Sequence, residues 1–172
     1  MNLREQLSQR IGAFEIKHLS KTVSKEELLS FSLSEEERVS ENATWVLTHL
    51  PKSEDKWLNT KRDLFIDSAM KTNNVTKKRL YLTLLERCKY EKDDIRTDFL
   101  DFCLWKVADI GETTGVQSLC MKLSLKQCLH YKELLLELKD KLIMAEPILT
   151  AIACKHQRKN ILNKINQMLE TF

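Results

Sequence analysis

Ser34–Met70 reads SEEERVSENATWVLTHLPKSEDKWLNTKRDLFIDSAM, and its periodicity decides the fold class. Ser34-Glu35-Glu36-Glu37 matches a capping box, in which the Ser34 hydroxyl accepts a first-turn amide and Glu37 reaches back. Behind it, Val39, Ala43, Val46, Leu47 and Leu50 fall on one stripe of an α-helix rather than on the alternation of a strand. Pro51 lacks an amide hydrogen and disfavours helical geometry at the residue before it, so the helix is expected to stop near His49–Leu50. Ser53, Glu54 and Asp55 repeat the start signal, and Trp57, Leu58, Leu64, Phe65, Ile66 and Ala69 form a second stripe. Neither helix can bury its stripe alone, so the stretch predicts an antiparallel helical pair.

Working outward, residues 2–14 carry Leu3, Leu7, Ile11 and Phe14 at helical spacing, with Gly12 weakening the end. Ser24-Lys25-Glu26-Glu27 is a second capping box, opening a short helix with Leu28, Leu29, Phe31 and Leu33. Residues 1–33 therefore read as N-terminal capping helices. On the other side, Asn73 and Asn74 are placed to cap a helix from Val75 to about Tyr90. Asp93 and Asp94 are placed to cap another through Phe99, Cys103 and Val107 to Ile110, ended by Gly111. Thr114-Gly115-Val116-Gln117 resembles a third box, and a partner helix runs from Tyr131 to Ala145. Pro147 suits the first turn of a last segment, closed by Ile161, Ile165, Met168 and Leu169.

An internal repeat follows from these starts. Val39, Val75 and Val116 hold equivalent places, 36 and 41 residues apart, with Ala43/Val46, Arg79/Leu82 and Cys120/Leu123 behind them. Arg79 is the misfit. A helix-pair period near 40 is that of HEAT and armadillo arrays, and ENATWVLTHL followed by PKSEDKWLNTKRDLF resembles a HEAT-like repeat. The resemblance covers Ser34–Phe172, and the 41-residue gap fits tetratricopeptide arrays poorly. It implies an all-α fold, a short right-handed α-α superhelix of antiparallel helix pairs. Residues 1–172 would then form one domain, with three to four degenerate repeats after residue 33.

Charge is plentiful but balanced, with 28 Lys and Arg against 25 Asp and Glu, a net charge of +3. That is short of the basic signature of a dedicated nucleic-acid domain. Cys88, Cys103, Cys120, Cys128 and Cys154 have no framework spacing and read as reduced thiols in apolar helix faces. The N-terminus lacks the apolar core of a signal peptide, and no run approaches a membrane span. A cytoplasmic protein is expected.

Chemistry is sparse. Cys128-x-His130 and Cys154-x-His156 point their side chains about 200° apart on a helix and cannot share one zinc, so no metal is expected. No glycine-rich phosphate loop and no nucleophile constellation occurs, so no cofactor is expected. HEAT-like folds bind through a surface lined by the second helix of each pair. On the pairing read above, those helices carry Lys56, Lys61 and Arg62, then Arg96 and Lys106, then Lys132, Lys139 and Lys141. They form a candidate binding surface, although Asp63, Asp67, Asp98, Asp101, Glu133, Glu137 and Asp140 interleave as on an ordinary solvated face. Lys155-His156-Gln157-Arg158-Lys159 is a short basic tract, read either as a solvated helix end or as a contact for phosphate or an acidic partner.

The expected role is a non-enzymatic scaffold or adaptor holding a protein or peptide along one face. The alternative is nucleic-acid binding. Alkylation-repair DNA glycosylases are built of similar repeats and use aromatic side chains and a carboxylate to favour release of a cationic base. Trp105 and Asp109, i and i+4, are the candidate pair for that chemistry.

Overall fold

Eleven α-helices and one 3-10 turn account for the secondary structure, without strands, in a computed structural model that describes residues 1–172. The helices gather into two compact units, Met1–Cys88 and Lys89–Phe172. The first holds α1 (Leu3–Ser8), α2 (Ala13–Thr22), α3 (Lys25–Ser32), α4 (Glu37–Thr48), α5 (Asp55–Thr60), α6 (Arg62–Lys71) and α7 (Val75–Glu86). The second holds α8 (Thr97–Val107), α9 (Thr114–Cys128), α10 (Lys132–Met144) and α11 (Ile152–Leu169).

The all-α repeat fold expected from the periodicity is what forms, but the helices pair in a different phase. α3 packs on α4, α6 on α7, α8 on α9 and α10 on α11. The stretch Ser34–Met70 is therefore not one hairpin. It contains the second helix of one pair, α4, and the first helix of the next, α5–α6. The first apolar stripe lies on α4 as far as Leu47, and the second is divided between α5 and α6 by the break at Lys61; a stripe alone does not say which neighbour covers it.

Within the first unit α4 is the hub, packed against α1, α2, α3 and α7. Val39, Ala43, Val46 and Leu47 on it are at most 1% exposed. Burying a Val or Leu side chain of this kind stabilises by about 1.5–3 kcal/mol. α4 and α7 lie side by side in the same direction, tied at both ends. At the start, Asn74 caps α7 by accepting from the Lys77 amide, and its Nδ2 donates to Glu37 and Glu41 of α4. At the finish, Arg87 donates to the Thr48 and Pro51 carbonyls and, through Nε at 2.8 Å, to Asp55. The Thr48 carbonyl at the α4 C-terminus has no intrahelical partner of its own, while the Pro51 carbonyl also accepts the Glu54 amide at 2.9 Å.

Several predicted boundaries move. Residues 2–14 form not one helix but the whole of α1, a break, and the start of α2. The break is fixed by Asn42, whose amide donates to the Leu7 and Gln9 carbonyls at 2.8 and 2.9 Å. Gly12 then begins α2 rather than weakening a helix, its amide held by Glu15 Oε2 at 3.0 Å. Ser24 caps α3 as expected, accepting from the Glu27 amide. Ser34 does not cap α4: its hydroxyl accepts from Glu36 two residues on, a local turn that delays the helix to Glu37. Asp93 and Asp94 do not open α8, which starts at Thr97. Asp93 sits at φ 71° and exchanges hydrogen bonds with the Tyr131 hydroxyl. Pro147 lies before α11, not in its first turn.

The second unit is arranged around α9, which packs against α8, α10 and α11. The Cys154 thiol donates to the Thr114 carbonyl at 3.5 Å, joining the first turns of α11 and α9. Arg158 Nε donates to the Leu142 carbonyl near the end of α10 at 2.6 Å.

With the pairs in place, the repeat becomes regular. Val39, Lys77, Val116 and Cys154 each stand third in a second helix, spaced 38, 39 and 38 residues. Seven residues on come Val46, Leu84, Leu123 and Ile161, all at most 2% exposed. Arg79 ceases to be a misfit, because Val75 opens α7 two residues before the equivalent place and is 45% exposed. Tyr81 is the residue that matches Ala43 and Cys120.

Candidate functional site

The expected surface residues fall on first helices once the pairing is known. In the first unit Lys56 is exposed on α5 and Lys61 is partly exposed at the break before α6. Arg62 is withdrawn from the surface: the chain rotates at Lys61 and carries Arg62 inward, leaving it 8% exposed. In the second unit Arg96 precedes α8 and forks onto the Asp98 carboxylate. That hydrogen bonding lowers the Asp98 carboxyl below its usual range. Lys132 and Lys141 are exposed and Lys139 partly exposed on α10.

The second unit brings four of the named residues together. Trp105, Lys106, Asp109 and Lys141 line a cavity of about 600 Å³, with Leu104, Ala108 and Ile110. Trp105 is 78% exposed and Ile110 83%. α8 ends at Val107, since the chain leaves helical geometry over the next two residues, so Trp105 and Asp109 are not one turn apart on an unbroken helix.

Electrostatics further separate this arrangement from the base-releasing pair that the alternative reading made of Trp105 and Asp109. Asp109 Oδ1 accepts the Gly111 amide at 2.9 Å and Oδ2 faces Lys106 Nζ at 3.4 Å, so the carboxylate caps the turn after α8. Lys106 also pairs with Glu112 at 3.1 Å and lies 5.8 Å from the Phe102 ring centroid. Burial pulls the Lys106 ammonium down, but Glu112 and then Asp109 more than offset it and hold its pKa above the ordinary value. Lys141 carries no ion pair.

All five cysteines are buried thiols. Burial pushes Cys103 well above the usual thiol range, with Cys120 beside it adding to the effect. Cys128 is pushed up to about 12, by burial first and by Glu137 second. Such thiols stay protonated and are poor nucleophiles and ligands.

Sequence reasoning missed the charge carried by the true second helices. α9 and α11 together contain no Asp or Glu, while α8 and α10 hold Asp98, Asp101, Glu133, Glu137 and Asp140. The signal was present in the composition of Ile152–Leu169, but with the helices paired one step out of phase α9 read as a first helix and α11 as an unpaired last segment, outside the layer expected to bind.

No helix is long and apolar enough to cross a membrane. No curated protein and no solved structure matches the chain. A family model for the HEAT repeat domain matches residues 3–165, a span that includes α1–α10 and all but the last turn of α11. Helix pairs spaced 38–39 residues apart and a match over almost the whole chain lead to one assignment: the protein belongs to the HEAT repeat family.

Proposed function

We propose that the protein is a non-enzymatic adaptor that holds a protein or peptide partner on the face around Trp105. HEAT repeats are helical scaffolds, generally without enzymatic activity. The observation that carries the reading is the exposure of Trp105 and Ile110 beside the 600 Å³ cavity. A large aromatic left in water at the rim of a concavity is the usual anchor of a protein interface, because it buries much area for little lost rotamer freedom. Lys141 lines the same cavity and would favour a partner carrying a carboxylate next to an apolar side chain. Five reduced thiols suit a reducing compartment, so a cytoplasmic location belongs to the proposal.

Selection of a random peptide library on the purified protein tests the reading. Enriched peptides should carry an aromatic or aliphatic residue near an acidic one, and Trp105→Ala should weaken them at least about tenfold, the cost of losing an interface anchor. Peptides that bind the Trp105→Ala protein as tightly as the wild type would overturn it.

A further inference from the structure

We infer that the exposed side of α11 binds the phosphate backbone of double-stranded DNA. α9 and α11 span 33 residues without one carboxylate, where the chain-wide share of 25 in 172 would put about five. On α11 the exposed residues Lys155, Lys159, Asn163 and Gln167 recur every fourth position, with Asn160 and Lys164 beside them. Cys154, Ile161 and Ile165 form the buried side of the same helix. The row from Lys155 to Gln167 is about 18 Å long at 1.5 Å per residue. It therefore matches about five steps of a duplex strand at 3.4 Å each.

The chemistry of this face selects the partner. Beyond Ile152 at its start, it offers ammonium and amide donors and no large apolar anchor, whereas a protein ligand needs an apolar core to its interface. Phosphate contacts are made by Lys and Arg with Asn and Gln, and protein–DNA interfaces are polar and positive. Arg158 is not part of the row: it is occupied by the Leu142 carbonyl and by Glu146 at 3.3 Å. That ion pair also engages a carboxylate that follows α10, and Glu170 lies beyond the end of α11. A B-form duplex suits an exposed helix better than duplex RNA, whose major groove is too narrow to admit one. This face is separate from the Trp105 cavity in its residues and in its chemistry, so either reading can fail without the other.

The test is fluorescence anisotropy of a labelled 20-base-pair DNA duplex with the full chain at about 50 and about 200 mM salt. Binding should weaken steeply between the two. Lys155→Glu, Lys159→Glu and Lys164→Glu combined should weaken it at least about tenfold at the lower salt and flatten the salt slope by about 2.7, at 0.9 per phosphate contact. Lys17→Glu, Lys21→Glu and Lys71→Glu combined make the same change in net charge on exposed residues of the other unit and should cost less than about threefold. Absence of binding by the wild type, or equal losses in the two triple variants, would overturn the inference. Displacement of the duplex by polyglutamate or duplex RNA at lower concentration than by unlabelled DNA would overturn it too. All six positions are exposed, and a circular-dichroism melt confirms that both variants fold.

Discussion

The Tyr81 hydroxyl donates to the Ser32 carbonyl across 3.0 Å, tying the middle of α7 to the last residue of α3. Ser40 Oγ, from α4, donates to the same oxygen. A carbonyl that would be an orphan at a helix end thus collects one donor from each of two neighbouring helices, in a spot where Ser32 and Ser40 are fully buried and Tyr81 is 2% exposed. Tyr81→Phe and Ser40→Ala should each cost about 1 kcal/mol in urea unfolding, because one donor remains in either case. The double variant strands the carbonyl and should cost about 1 kcal/mol more than the sum. Simple additivity in the cycle would show that the two donors act independently.

Arg87 closes α4 from outside the helix, so its replacement should act on α4 as much as on α7. Arg87→Ala is expected to destabilise by about 2 kcal/mol, through the stranded Thr48 carbonyl and the loss of Asp55 as an ion partner. Arg87→Lys should recover less than half, since an ammonium cannot reproduce the planar fork. Hydrogen exchange should rise first in the last turn of α4.

Ser124 should respond in the opposite sense. Its hydroxyl is fully buried in α9 and has no hydrogen-bond partner. Ser124→Ala removes a desolvated polar atom and raises helix propensity, so a gain of about 1 kcal/mol is expected in the urea midpoint. A loss of stability would mean that the hydroxyl finds a partner in solution.

The buried thiols make stability fall in alkali. Cys128 has a folded pKa of about 12 against an ordinary 9.0, and Cys103 and Cys154 are also raised. Above pH 9 the unfolded chain loses these protons while the folded one keeps them. The stabilisation is therefore complete below pH 9 and lost as pH rises towards 12, at about 1.4 kcal/mol per unit for a thiol shifted across that window. Urea midpoints at pH 8 and pH 10 should fall accordingly, and Cys128→Ala should remove its share of the slope.

Trp105→Ala should leave stability within about 0.5 kcal/mol of the wild type, as for other exposed side chains away from caps and core. Thermal melts check this. A large loss would mean that Trp105 packs within the fold and would remove the support for its role as an anchor.

The fold class was legible because helical stripes and their stops are local. Val39–Leu50 and Pro51 define a helix whatever surrounds it, and Ser24 and Asn74 cap theirs as read. The pairing was not legible, because α4 is equally apolar towards a helix before it and one after it. Only long-range packing, with ties such as Asn42 to Leu7 and Arg87 to Thr48, sets the phase. The site suffered from the same ambiguity. Shifting the pairs by one helix moved Lys56, Lys106 and Lys132 to first helices and brought the acid-free α9 and α11 into the layer where binding was expected. Arg62 was misjudged for a different reason, a rotation at Lys61 that leaves no mark in composition.

The regular places of Val39, Lys77, Val116 and Cys154 imply where this chain can change length. One residue inserted inside α7 would turn everything after it by about 100° and swing Leu84 and Leu85 out of the core. The same insertion among residues 89–96, which carry no helix, would leave both flanking stripes in register. Growth or loss inside the array is therefore confined to the connections, or to whole blocks of 38 or 39 residues.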